Sequence, residues 1–160
     1  MASEHTYTSS VTVAAPVERV WEVMCDTGRY ADWGPLTLEI EASDGPARMG
    51  STYDERVPFV GPWKGEIHWQ VTEFDPPHRL VHTGRVWYAR ELVSEMECSP
   101  AEEGDGTTFT MTLRATPKLG PLGGLLERAL TNSVQSNWDR TIENFKELVE
   151  GGESEDGEDA

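Results

Sequence analysis

Few side chains in this sequence are placed to do chemistry, and those few sit singly inside apolar, alternating segments. Ser9, Glu55, His82, Ser94 and Arg90 share the phase of the apolar residues around them, so they point inward with that set. A buried polar group needs a partner or a wet cavity. The cluster therefore reads in two ways, as a network among Glu55, His82 and Arg90 or as a set that orients a bound ligand. Were the chain an enzyme, His82 and Glu55 would be its catalytic candidates, because an acid or base facing an apolar cavity has a shifted pKa.

Metal chemistry has little to stand on. His78 and His82 are four apart, a spacing that joins two imidazoles only on a helix. Pro76-Pro77 makes this segment a strand, where about 3.3 Å per residue puts the pair about 13 Å apart. No single ion spans that distance with ligand bonds of about 2 Å, and neither a metal nor any other cofactor is expected. His68 alternates out of phase with Ile67 and Trp69 and reads as a surface residue. The patterns GxSxG, CxxC, GxxxxGK[ST], HExxH and GxGxxG do not occur, so hydrolase, kinase and dinucleotide readings have no support. The run Gly120-Pro121-Leu122-Gly123-Gly124 is a helix lead-in, since it carries no Lys or Ser/Thr for a phosphate.

The elements that must position these residues follow from periodicity. Leu122, Leu126, Ala129, Leu130, Val134, Trp138, Ile142, Phe145 and Val149 recur at spacings of three and four, which predicts a helix over 121–150, about 45 Å long. Glu127, Arg128, Asp139, Arg140, Glu143 and Glu147 occupy its other side. So long an amphipathic helix needs a broad partner. Alternation predicts strands over 6–13, 36–41, 51–57, 63–74, 79–83, 88–98 and 107–116, with one or two short helices between the first two, starting at Pro16 and ending before Gly34-Pro35. The expected fold is α+β: a seven-stranded curved antiparallel sheet wrapped around a long C-terminal helix, as one domain over 1–150. Residues 151–160 lack apolar side chains before Ala160 and read as an acidic disordered tail.

Taking the apolar phase as inward places Leu36, Leu38, Ile40, Trp63, Ile67, Trp69, Val71, Leu92, Met96, Cys98, Phe109, Met111 and Leu113 on the inner face. A sheet too curved to touch a long helix everywhere leaves a cavity. Trp69, Met96, Met111, Trp138 and Ile142 are expected to line it, with His82 and Glu55 as polar anchors and Arg90 and Ser94 beside them.

Composition narrows the partners. Twenty-nine acids against thirteen bases give a net charge of −16, and the bases are ten Arg to three Lys. Such a surface repels nucleic acid and anionic lipid. The acid-rich, Lys-poor balance resembles that of proteins from salt-loving microbes, in which molar salt shrinks the Debye length to about 3 Å. Cys25 and Cys98 form no disulfide framework, no segment approaches the roughly 20 apolar residues of a membrane span, and no signal sequence opens the chain. A cytoplasmic protein without membrane insertion is expected.

Two runs carry a resemblance: Ser10-Val11-Thr12-Val13-Ala14-Ala15-Pro16-Val17-Glu18-Arg19-Val20-Trp21-Glu22-Val23, then Asp26, then Tyr30-Ala31-Asp32-Trp33. They resemble the opening of the SRPBCC (START-like, helix-grip) superfamily, in its polyketide cyclase/dehydrase and lipid-transport branch. Met49-Gly50-Ser51, the run from Glu73 to Leu80 and Gly106-Thr107-Thr108 are similar to that family's strand entries and turns. The resemblance covers residues 6–149 and implies the helix-grip fold. It leaves three functions open: a carrier or sensor of a small hydrophobic ligand, a polyketide cyclase or dehydratase using His82 or Glu55, and a partner-binding module like the chaperone activators.

Overall fold

The computed structural model describes residues 4–58, 61–118 and 123–158, with side chains described only over 134–151 in the last of these segments. Strand β1 (His5–Val13) buries Tyr7, Ser9 and Val13 and turns Thr6, Thr8, Ser10 and Thr12 to solvent, as its alternation predicts. Pro16 then caps α1 (Val17–Cys25), which buries Val20, Val23 and Met24. A single 3₁₀ turn, Thr27–Arg29, leads into α2 (Tyr30–Trp33). Strands β2 (Glu39–Glu41), β3 (Thr52–Pro58), β4 (Lys64–Asp75), β5 (Arg79–Arg85), β6 (Ala89–Pro100) and β7 (Thr107–Pro117) precede α3 (Gly123–Glu158). The seven strands form one antiparallel sheet in the order β1-β7-β6-β5-β4-β3-β2. This is the expected α+β helix-grip fold.

The direction of α3 along the sheet is set by three bonds to the β1 segment. Glu150 accepts from the Ala14 N–H at 2.9 Å, Lys146 Nζ donates to the Thr12 carbonyl at 2.7 Å, and Ser9 Oγ bonds Asp139, with Gln135 Nε2 2.9 Å from the same carboxylate. Moving back along the helix thus moves back along β1. The last turns of the 134–149 stretch lie at the end where β1 finishes and β7 starts. Here Phe145 stacks on Phe109 with ring centroids 3.9 Å apart and meets Trp33 edge-on at 5.1 Å, while Val13, Val20, Met24 and Val149 are fully buried. Thr107 Oγ1 donates to the Ala15 carbonyl at 2.8 Å and closes this end.

Several expectations change in detail. β2 is three residues long, and Leu38, read as inward, is 46% exposed although its N–H donates to the Arg56 carbonyl of β3 at 2.8 Å. Trp63, also read as inward, is 73% exposed because it lies one residue before β4 begins. Trp138, read as part of the apolar stripe, is half-buried, whereas Ile142, Phe145 and Val149 are buried. Asp139, on the polar side of α3, is tied to the sheet through Ser9. The expected helix start at Pro121 lies outside the described residues. The helical backbone continues through 151–158, where composition argues for a tail.

Candidate functional site on the inner face

Glu55 sits on β3 in register with Ile67, and its neighbour Tyr53 pairs with Trp69 on β4. Both point to the inner face because β3 alternates. Glu55 is half-buried. Its Oε1 accepts from Thr37 Oγ1 at 2.5 Å and its Oε2 from Trp69 Nε1 at 2.6 Å. Burial raises its pKa above the usual carboxylate value, and the two hydrogen bonds only partly oppose that shift. Trp69 owes its position to Gly84, its cross-strand partner on β5. A Cβ on Gly84 would stand 2.9 Å from Trp69 Cζ3, closer than a side chain can sit without displacing the indole.

His82 lies deeper and has no exposed surface. Its Nδ1 is 2.6 Å from Tyr53 Oη, and the rings of Tyr30, Tyr53 and Trp69 surround it at centroid distances of 5.9, 5.5 and 6.3 Å. Nε2 has no partner among the described residues. In either neutral tautomer one ring nitrogen is thus left unsatisfied, at a cost of about 1–3 kcal/mol. Burial alone pushes the His82 pKa down to about 3, so the ring is neutral at ordinary pH. The same burial holds the Tyr30 and Tyr53 phenols protonated.

The network considered from the sequence does not form. Glu55 bonds Thr37 and Trp69, His82 meets Tyr53, and Trp69 links the two by giving its N–H to Glu55 and standing nearly perpendicular to the His82 ring. Arg90 is a correction: it is exposed. The register of β6 on β7 shifts between Ala89 and Glu91, and this bulge absorbs Arg90 and turns it off the inner face that Leu92, Ser94, Met96 and Cys98 keep. Ser94 is buried directly across from His82. Ser9 is clamped by Asp139 and Gln135. Met96 and Met111 face each other across β6 and β7, and with Ile142 they are buried in the packed part of the interface. Trp138 is half-buried and donates from Nε1 to the Met111 carbonyl at 3.2 Å.

Two site residues were missed. Tyr53 carries a readable signal, since it is two residues before Glu55 and so shares its face. Thr37 carries none, because it sits in a loop. Two clefts, of about 150 Å³ beside Arg19, Glu22, Asp26 and Arg29 and about 300 Å³ beside Ala14, Pro16 and Asp105, lie away from all of these residues. The half of α3 that continues from Val134 towards the start of β1 carries side chains outside the described residues, and the half-buried inner residues Glu55, Val57, Leu113 and Ala115 are at that end of the sheet. On the outer face His68 pairs with Asp54 at 2.6 Å and Glu66 at 3.5 Å, as a surface residue should.

A curved seven-stranded sheet holding a long C-terminal helix, with polar residues set singly into its apolar inner wall, defines a START-like helix-grip module. Residues 4–150 match the family described as polyketide cyclase / dehydrase and lipid transport, and the chain belongs to that family. Toxin Rv0910 of Mycobacterium tuberculosis (strain ATCC 25618 / H37Rv) is 24% identical over 145 residues, covering 89% of this chain and 96% of that protein. The protein TTHA0849 from Thermus thermophilus has the same fold at TM-score 0.78 and 18% identity, over 92% of this chain and 99% of that one. The Zhui aromatase/cyclase from Streptomyces sp. R1128 matches at TM-score 0.66 and 19% identity, over 91% and 96%. Among the described residues no helix is long and apolar enough to cross a membrane.

Proposed function

We propose that this protein binds a small hydrophobic ligand bearing a polar group, of lipid or polyketide-like type, between the inner face of the sheet and the C-terminal helix, as a carrier or sensor. The supporting observation is the setting of Glu55. It is a carboxyl on an apolar wall, half-buried where His82 is sealed, with its pKa raised and one hydrogen bond on each oxygen. Each oxygen keeps a lone pair for a ligand donor, and the protonated form offers a donor to a ligand oxygen. Trp69 supplies the apolar surface beside it.

A cyclase or dehydratase is the second reading, and the raised pKa of Glu55 favours it, since an acid–base group works best when its pKa approaches the working pH. His82, near 3, is too weak a base to carry that reading by itself. Native mass spectrometry of the purified protein, followed by displacement of an environment-sensitive dye with fatty acids and with aromatic polyketide-like compounds, tests the proposal. A displacing ligand should stabilise the fold by about 2.7 kcal/mol at a hundredfold excess over its dissociation constant. Glu55→Gln should weaken polar-headed ligands more than plain hydrocarbons. Absence of both retained ligand and dye binding would sink the proposal, and turnover of a polyketide-like substrate lost in Glu55→Gln would replace it with the second reading.

A further inference from the structure

The strand registers bring the β3–β4 connection, the β5–β6 connection and the end of β7 to one end of the sheet. Trp63, 73% exposed, stands on the first of these, and Trp87, 71% exposed, on the second, where it meets Tyr88 edge-on. The Lys118 N–H donates to the Tyr88 carbonyl at 2.8 Å and joins the end of β7 to the same rim. Burial of large aromatic side chains is the rule, so two tryptophans left in water on adjacent hairpins mark a surface with a use.

Charge on the same rim runs against the chain as a whole. Six bases have no ion-pair partner among the described residues, and four of them, Lys64, Arg85, Arg90 and Lys118, are on this rim. Arg48 and Arg140 are the others. Among the acids at this end of the sheet are Glu4, Glu66 and Glu91, so the four bases face fewer acids here than the chain's overall excess would give. Much of the acid excess is elsewhere: Glu102, Glu103 and Asp105 are in the β6–β7 turn, at the far end of β7, and Glu150 is beside Ala14 at that same end. The eleven residues of β7 span about 36 Å, several times the Debye length of about 8 Å at physiological ionic strength. A planar anionic surface meeting the rim therefore feels the four bases, while the distant acids are screened.

We propose that this rim docks the protein on an anionic lipid bilayer, with Trp63 and Trp87 at the headgroup level and Lys64, Arg85, Arg90 and Lys118 against lipid phosphates. Indole rings favour the membrane–water interface because one part is apolar and the N–H stays hydrogen-bonded, and Lys and Arg near an anionic surface add attraction that salt weakens. The docking surface rests on exposure and charge alone, so it stands or falls separately from the ligand reading.

Vesicle co-sedimentation tests it, with phosphatidylcholine vesicles and with vesicles of phosphatidylcholine and phosphatidylglycerol. The full chain should sediment with the mixed vesicles, less so as salt is raised, and W63S/W87S and K64E/K118E should each weaken that partition by about tenfold or more. Both variants change exposed side chains, and unchanged circular dichroism would show that they fold. In the wild type, brominated phosphatidylcholine in the mixed vesicles should quench part of the tryptophan fluorescence, a readout that needs no variant. The proposal is overturned by absence of sedimentation and quenching, or by sedimentation that both variants leave unchanged. A dimer in analytical ultracentrifugation that W63S/W87S dissociates, without vesicle binding, would overturn it too and assign the rim to a second copy of the chain.

Discussion

At one end of the interface between α3 and the sheet, Phe109, Phe145, Val13 and Val149 have no exposed surface, and two phenylalanine rings stack at 3.9 Å. Towards the other end Glu55, Val57, Leu113, Ala115 and Trp138 are half-buried, and tryptophans stand in water on the rim. The same two elements make both ends. The difference teaches that the closed end carries much of the stability of the fold, because close packing there gains dispersion and excludes water, whereas the open end leaves several inner side chains partly exposed beside buried ones such as Ile67 and Leu92. A carboxyl with a raised pKa is tolerable at the open end, where it keeps some contact with solvent. An imidazole sealed against three aromatic rings survives only as the neutral form.

Truncation should separate the two ends most sharply. Phe145→Ala should cost about 3–5 kcal/mol, much of the stability of a marginal domain. Trp138→Ala, which loses half-burial and one bond to a carbonyl, should cost about 1–2 kcal/mol. Urea midpoints measure both, and equal losses would show that the ends are packed alike.

The next effect is one of pH. His82 has a folded pKa near 3 against 6.5 when unfolded, so the fold keeps its full stability above pH 6.5 and loses it as pH falls from there towards 3. The loss should run at about 1.4 kcal/mol per pH unit. His82→Phe removes this titration, at the expense of an unpartnered Tyr53 hydroxyl, so its stability should fall less steeply between pH 6.5 and 4.5 than that of the wild type. Parallel curves would mean that the imidazole is not sealed.

Glu55 should behave in the opposite sense. Its folded pKa is raised, so its contribution to stability is greatest below pH 4.5 and is lost as pH rises through the folded value. Glu55→Gln should therefore stabilise the protein at pH 7, with the gain vanishing at low pH, and denaturant titrations at pH 7 and 4 measure it. A loss of stability at pH 7 would place Glu55 among the structural ion partners of the fold.

The smallest effects belong to the surfaces that neither end uses. Glu143→Ala on the exposed side of α3 should change stability by less than about 0.5 kcal/mol. Removing the residues after Gly151 should matter as little, since they hold no apolar side chain except Ala160. If the net charge of −16 is an adaptation to a salt-rich interior, the melting temperature should climb as KCl is raised towards molar levels. A flat response would remove that reading.

Much of this was legible along the chain. Alternation placed seven strands and assigned Ser9, Glu55, His82 and Ser94 to the inner face, and the three-and-four spacing of Ile142, Phe145 and Val149 marked the buried side of α3. These patterns are local consequences of backbone geometry, and a local pattern is readable in one dimension. The tertiary structure decided what depends on register and on pairing between distant segments. A bulge of one residue turned Arg90 from the inner wall to the rim, because a period of two reverses every face at each slip. Trp69 and Thr37 became the partners of Glu55, and Tyr53 that of His82, only when strands and a loop far apart in sequence met. Composition averaged the charge over the whole chain and argued against anionic surfaces. The strand order gathered at one end four bases that have no ion-pair partner among the described residues, and the sign of a surface is set by where its charges stand, not by their sum.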